Sequence, residues 1–153
     1  MHLDKKLSEH FTLGEFVESE TADEHLIDNT VPPEYIPNVV RMARWLESVR
    51  GVELNAKPIT ITSGYRSVAL NRTLDGSPTS AHLKGLAVDI VCPKFGTPLE
   101  VARALTLSLS PGMPYDQIIY EGDWVHIGLN EAGTPPRQEV LTKVPSGYVR
   151  GLP

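Results

Sequence analysis

The segment from residue 34 to residue 50 carries the strongest helical signal in the chain. Ile36, Val39, Val40, Ala43, Leu46 and Val49 recur at three- and four-residue intervals, the spacing that lines one face of an α-helix. Arg41, Arg44, Glu47 and Arg50 fall mostly on the other side, and Gly51 supplies a C-terminal stop. Such a stripe must be covered by another apolar surface. The remaining apolar residues sit largely in short runs. Ile59-Thr60-Ile61-Thr62 is β-branched and follows Pro58, so it reads as a strand. Leu86 to Val91 reads as another, with Ala87, Asp89 and Val91 on one face and Leu86, Val88 and Ile90 on the other. Gln117 to Tyr120 and Trp124 to Leu129 form a hairpin around the turn Glu121-Gly122-Asp123, and a last strand covers Gln138 to Lys143.

Shorter helices fill the gaps. Thr12-Leu13-Gly14-Glu15 is a capping-box signature. A short helix spans Ser67 to Leu74. Thr97 and Pro98 are the N-cap and first position of another helix, striped by Val101, Ala102, Leu105 and Leu109 and ended by Pro111-Gly112. The first thirty residues are polar with apolar anchors at Phe11, Leu13, Phe16, Leu26 and Ile27, and Ser19 to Pro32 reads as an irregular ordered loop. The Gly- and Pro-rich tail from Pro145 to Pro153 is expected to be loosely held. Helices mixed with hairpin-like strands indicate an α+β fold rather than strict βαβ winding.

At 153 residues, 41% of them hydrophobic, the chain suits one domain with one core. A formal net charge of -5 gives no basic footprint for nucleic acid. Cys92 is the only cysteine, so no intrachain disulfide can form, and its place beyond Asp89 reads as a buried small hydrophobe. The N-terminus has no apolar run of the secretory kind, and no stretch reaches the about 20 apolar residues of a membrane span. The expectation is a chain made in the cytoplasm without a signal peptide, with no membrane insertion. No Gly-rich phosphate loop or Walker lysine motif is present.

The chemistry gathers in two segments, Ser80-Ala81-His82-Leu83-Lys84-Gly85-Leu86-Ala87-Val88-Asp89 and Glu121-Gly122-Asp123-Trp124-Val125-His126. A catalytic zinc site takes three protein ligands and keeps a position for water. His82, Asp89 and His126 make such a set, two imidazoles and one carboxylate. Gly85 lets the loop fold back so that His82 and Asp89 reach one ion. Taken singly, each has an ordinary alternative: a hydrogen-bonded strand histidine, or a paired or capping aspartate.

The pattern Ser-x-His-x3-Gly-x-Ala-x-Asp is complete in Ser80, His82, Gly85, Ala87 and Asp89, and Asp123-Trp124-Val125-His126 follows it. Together they resemble the zinc D-alanyl-D-alanine carboxypeptidases, the M15 peptidases. That group includes phage endolysin peptidases and the D,D-dipeptidases of vancomycin resistance. Phe11 to Phe16, Ser63-Gly64-Tyr65-Arg66-Ser67 and Gln117 to Glu121 resemble its small phage and prophage branch, so the likeness runs from about residue 10 to residue 143.

The resemblance implies a Hedgehog/DD-peptidase-like fold, a small, mostly antiparallel central sheet flanked by helices, in a single domain over 1–153 with a core over about 10–143. It implies one Zn2+ per chain on His82, Asp89 and His126. Asp123 would be the general base, with Glu121 as the fallback, since Asp123 can face the metal only from within the turn. Arg66 would stabilise the oxyanion or hold a substrate carboxylate. Ser80 would bind substrate or support a ligand. Trp124 would pack beside the site, while Arg137 and Gln138 resemble the family's last strand without assigned chemistry.

The implied activity is hydrolysis of an amide bond in peptidoglycan stem peptides by a monomer reaching the wall after holin-assisted or other release. The bond is D-Ala-D-Ala, a D,D cross-link or L-Ala-D-Glu. The alternative is a non-catalytic, zinc-stabilised wall-binding or phage structural module.

Overall fold

Side-chain caps, more than apolar periodicity, order the N-terminal segment. The computed structural model describes residues 2–107 and 114–153. Helix α1 (Leu13–Val17) follows Thr12, whose N–H is received by the Glu15 carboxylate at 2.7 Å. Helix α2 (Glu20–Glu24) begins at Ser19, whose hydroxyl accepts the Ala22 N–H at 3.2 Å. This helix corrects the expectation of an irregular loop from Ser19 to Pro32. It is a polar, five-residue element set by its cap and has no apolar stripe. Leu26 is not an anchor: it is 92% exposed.

A single 3-10 turn at Pro33–Tyr35 leads into α3 (Ile36–Gly51), which buries Val39, Met42, Ala43, Trp45, Leu46 and Val49. Gly51 is its last residue and Val52 its cap, one position later than the sequence stop. Strand β1 (Thr60–Ser63) is followed by α4 (Val68–Thr73), a 3-10 turn (Ala81–Lys84) and β2 (Ala87–Val91). Helix α5 (Pro98–Thr106) carries the expected cap: Thr97 Oγ1 accepts the Glu100 N–H at 3.2 Å. Leu109 and the Pro111-Gly112 stop lie outside the described residues. Strands β3 (Gln117–Tyr120), β4 (Val125–Gly128), β5 (Glu139–Val144) and β6 (Gly147–Arg150) complete the chain.

The six strands form one sheet in the order β1-β2-β4-β3-β5-β6. Among the described residues, only the β3–β5 pairing is parallel. The fold is therefore α+β with a mostly antiparallel sheet, as expected. Register sorts the side chains. Val88 lies opposite Ile127, Ile90 opposite Val125, and Ile118 opposite Ile127. These residues are fully buried and join the apolar stripes of α3 and α5 in one cluster. The other face carries Asp89 opposite His126, and Ile119 opposite His126. Alternation thus gives the central strands one oily face and one chemical face.

The tail is not loosely held. Its strand β6 pairs with β5 from Leu141↔Arg150 to Val144↔Gly147. The Gly151 N–H reaches the Val140 carbonyl, Arg103 bonds the Pro153 carbonyl, and Leu152 packs on the core. Gly147, at φ +135°, supplies the turn conformation that returns the chain antiparallel. Gly and Pro signal turns as readily as disorder, and here they frame a hairpin.

Candidate metal centre

His82 is fixed from outside the sheet. It lies in the 3-10 turn that Ser80 caps, the Ser80 hydroxyl accepting the His82 N–H at 3.2 Å. Gly85 ends that turn at φ +70°, and a Cβ there would sit 2.7 Å from Val39 Cγ2, so the turn rests directly on α3. The His82 ring is 3% exposed, and its Nδ1 lies 2.7 Å from the Gly64 carbonyl oxygen. A carbonyl only accepts, so Nδ1 carries the proton and Nε2 presents its lone pair. Gly64 is itself clamped: a Cβ would fall 2.4 Å from the Phe16 carbonyl oxygen, which accepts the Tyr65 N–H at 2.6 Å. Buried Asn29 ties the same turn. Its amide donates to the Val17 carbonyl at 2.9 Å and the Tyr65 carbonyl at 3.0 Å, and its oxygen accepts the Ser67 N–H at 2.8 Å.

Asp89 is 6% exposed, and its two oxygens have different company. Oδ1 lies 3.4 Å from His82 Nε2 and 3.0 Å from His126 Nδ1. Oδ2 faces Arg66 at 3.4 Å. Burial alone would raise the Asp89 carboxyl, but the two imidazoles outweigh it and hold the group well below the usual carboxylate range. Burial also lowers His82, against the pull of Asp89. A neutral imidazole and an ionised carboxylate are the states a metal requires.

The donor atoms of His82, Asp89 and His126 all lie within 4.8 Å of one another. Bonds of about 2.0–2.1 Å at tetrahedral angles put neighbouring donors about 3.4 Å apart. The 3.4 Å separation of His82 and Asp89 equals that edge, and the 3.0 Å separation of His126 and Asp89 is slightly shorter. The structure brings the three expected ligands together, and their donor set fits zinc.

Around them lies a cavity of about 480 Å³. Arg66 lines it, its guanidinium directed to Ser63 Oγ at 3.1 Å, Asn71 Oδ1 at 3.5 Å and Asp89. Ser80 lines it too, and Trp124 forms part of its wall while remaining 37% exposed. The two candidate bases separate here. Alternation along β3 puts residues 117, 119 and 121 on the metal face, and Glu121 lines the cavity. Burial raises its carboxyl, His126 opposes the rise, and Asp89 adds to it. Asp123 is exposed in the turn and lies outside the cavity wall. The turn that was expected to aim Asp123 inward closes with the Glu121 N–H on the Trp124 carbonyl at 3.1 Å and Gly122 at φ +95°.

Tyr148 on β6 reaches the same cavity. Burial raises its phenol, and the charges of Glu121 and Asp89 add to the rise, so the group stays protonated. Sequence reasoning missed it by discounting the tail. The available signal was Tyr148-Val149 directly after Gly147, a β-rich pair behind a turn residue. It missed Asn29 as well, because a polar residue in a polar segment carries no pattern. Cys92 is buried as expected, its thiol directed to the Pro58 carbonyl at 3.1 Å.

A family model described as Peptidase M15 matches residues 9–128. That span holds the three donors, both candidate bases, Arg66 and Ser80. No curated protein matches the chain.

Proposed function

This chain belongs to the peptidase M15 family of zinc metallopeptidases, and from that premise we propose that it hydrolyses an amide bond in the stem peptides of peptidoglycan. The observation that carries the reading is the meeting of His82 Nε2, Asp89 Oδ1 and His126 Nδ1 in a cavity that also holds a carboxylate not needed as a ligand, Glu121. Zinc, when bound, brings the pKa of a coordinated water towards neutrality and polarises the scissile carbonyl. The protein supplies the rest. Gly64 fixes the tautomer and tilt of His82. Arg66 engages Asp89 Oδ2, leaving Oδ1 turned towards the imidazoles.

Glu121 takes the proton of the attacking water and returns it to the leaving amine, a transfer eased by its raised carboxyl. Its place in the cavity supports it over Asp123 in this role, and supports an enzyme over a non-catalytic wall-binding module. The Tyr148 phenol is a hydrogen-bond donor lining the same cavity. The preference for peptidoglycan rests on the likeness of the Phe11–Phe16, Ser63–Ser67 and Gln117–Glu121 segments to the phage and prophage branch. The protein then acts at the cell wall as a monomer, after holin-assisted or other release.

The test is incubation with purified peptidoglycan, followed by mass spectrometry of the released fragments, with and without a chelator. Chelator-sensitive appearance of new peptide termini is expected. No release from several wall chemotypes would remove the reading.

A further inference from the structure

A second cavity, of about 580 Å³, adjoins the metal-side one, and Thr79, Ser80, Ala81 and Arg137 line both. We propose that the two form one substrate cleft, in which the second cavity holds the continuing peptide on one side of the scissile bond, so that the protein cuts within a peptide rather than trimming its end. This rests on the peptidoglycan reading above.

Two observations carry it. The first is size. Small-molecule sites run from about 300 to 1,000 Å³, so the 480 Å³ beside the metal is already ample for a terminal dipeptide. The further 580 Å³ has room for several more residues.

The second is charge. A carboxypeptidase must recognise a terminal carboxylate, best done by a free cation. Among the described residues, every cation lining either cavity already faces a carboxylate. Lys84 pairs with Glu131, Arg66 with Asp89, and Arg137 with Asp116 at 2.8 Å and Glu139 at 3.6 Å. The floor of the second cavity is apolar, with Leu83, Leu86 and Leu129 among its lining. Such walls suit short aliphatic side chains on an uncharged, continuing backbone.

The experiment compares hydrolysis of an N-acetylated tripeptide ending in D-Ala-D-Ala with that of an intact stem pentapeptide and a cross-linked stem-peptide dimer. It uses the zinc-loaded chain and two variants of the exposed turn that lines the second cavity, Thr134→Trp and Pro135→Trp. Neither touches a metal donor or Glu121. The unaltered chain is expected to favour at least one longer peptide by about tenfold or more in kcat/KM, equivalent to about 1.4 kcal/mol, and to cut it at an internal bond; removal of the terminal D-Ala alone would overturn the proposal. The Trp variants should lose that preference and leave any slow cleavage of the tripeptide unchanged.

Binding of the dimer to chelator-treated protein, followed by amide chemical shifts, should weaken by a similar factor in both variants. Equal cleavage and equal binding by the variants and the unaltered chain would overturn the proposal, as would a preference for the tripeptide. If no peptide is cut but dimer binding still weakens in the variants, the hydrolytic reading fails and the cleft stands.

Discussion

The centre and the edge of the sheet are built on different terms. In β2 and β4 every position is constrained. One face meets α3 and α5 in the core, and the other carries Asp89 and His126 in register. At the β5–β6 edge the side chains are half-buried or exposed, and main-chain pairing holds the hairpin. The metal donors sit where the fold has least freedom. Tyr148 and the turn around Thr134, which line the two cavities, lie outside that constrained centre. Donor geometry tolerates little error, which suits side chains held by strand register and by the capped turn of His82.

The sharpest way to break this contrast is at the metal. His82→Ala or Asp89→Ala should abolish zinc binding in equilibrium dialysis, and peptide hydrolysis with it. Either variant retaining zinc would dissolve the centre's special status. Next in size is Glu121→Gln, which should keep zinc and lower kcat by about 10²–10⁴-fold, while Asp123→Ala stays close to the unaltered chain. The opposite ranking would move the base into the turn.

Packing gives the third test. Ile90→Ala in the fully buried centre should cost about 2–5 kcal/mol in urea unfolding, whereas Val149→Ala, half exposed on β6, should stay within about 0.5 kcal/mol. Comparable losses would show that the edge is as firmly packed as the middle.

The smallest effect is electrostatic and belongs to the Asp116–Arg137 pair just ahead of β3 and β5. Burial would raise Asp116, but bonds from the Arg137 side chain and backbone lower it below its ordinary 3.8. A carboxyl lowered in the folded state stabilises above the unfolded value. That contribution is lost as pH falls through 3.8 towards the folded value. Stability measured between pH 6 and pH 3 should therefore drop less steeply in Asp116→Asn.

The same contrast explains what the sequence disclosed. Helix α3, strands β2 and β3 and the Thr97 cap were legible because burial on a repeating face, or a cap at a fixed offset, writes itself into residue types. The two His and the Asp were legible as a motif, and register then placed Asp89 opposite His126. Helix α2 and strand β6 were not, since a Ser19 hydroxyl and a main-chain ladder ask little of their neighbours' side chains. The choice between Glu121 and Asp123 also lay beyond pattern. It depends on where β3 stops alternating and the turn begins, a boundary that glycine blurs.

The Gly64 contact reaches further than its size suggests. One main-chain oxygen at that residue orients a metal imidazole, and the missing side chain there is what lets the Phe16 backbone close over it. The amino-terminal segment, which contributes no donor, thereby becomes a brace for the first coordination bond. A single methyl at residue 64 would wedge the brace open, so ion affinity would be partly decided at Phe16, 73 residues upstream of Asp89 and 110 upstream of His126.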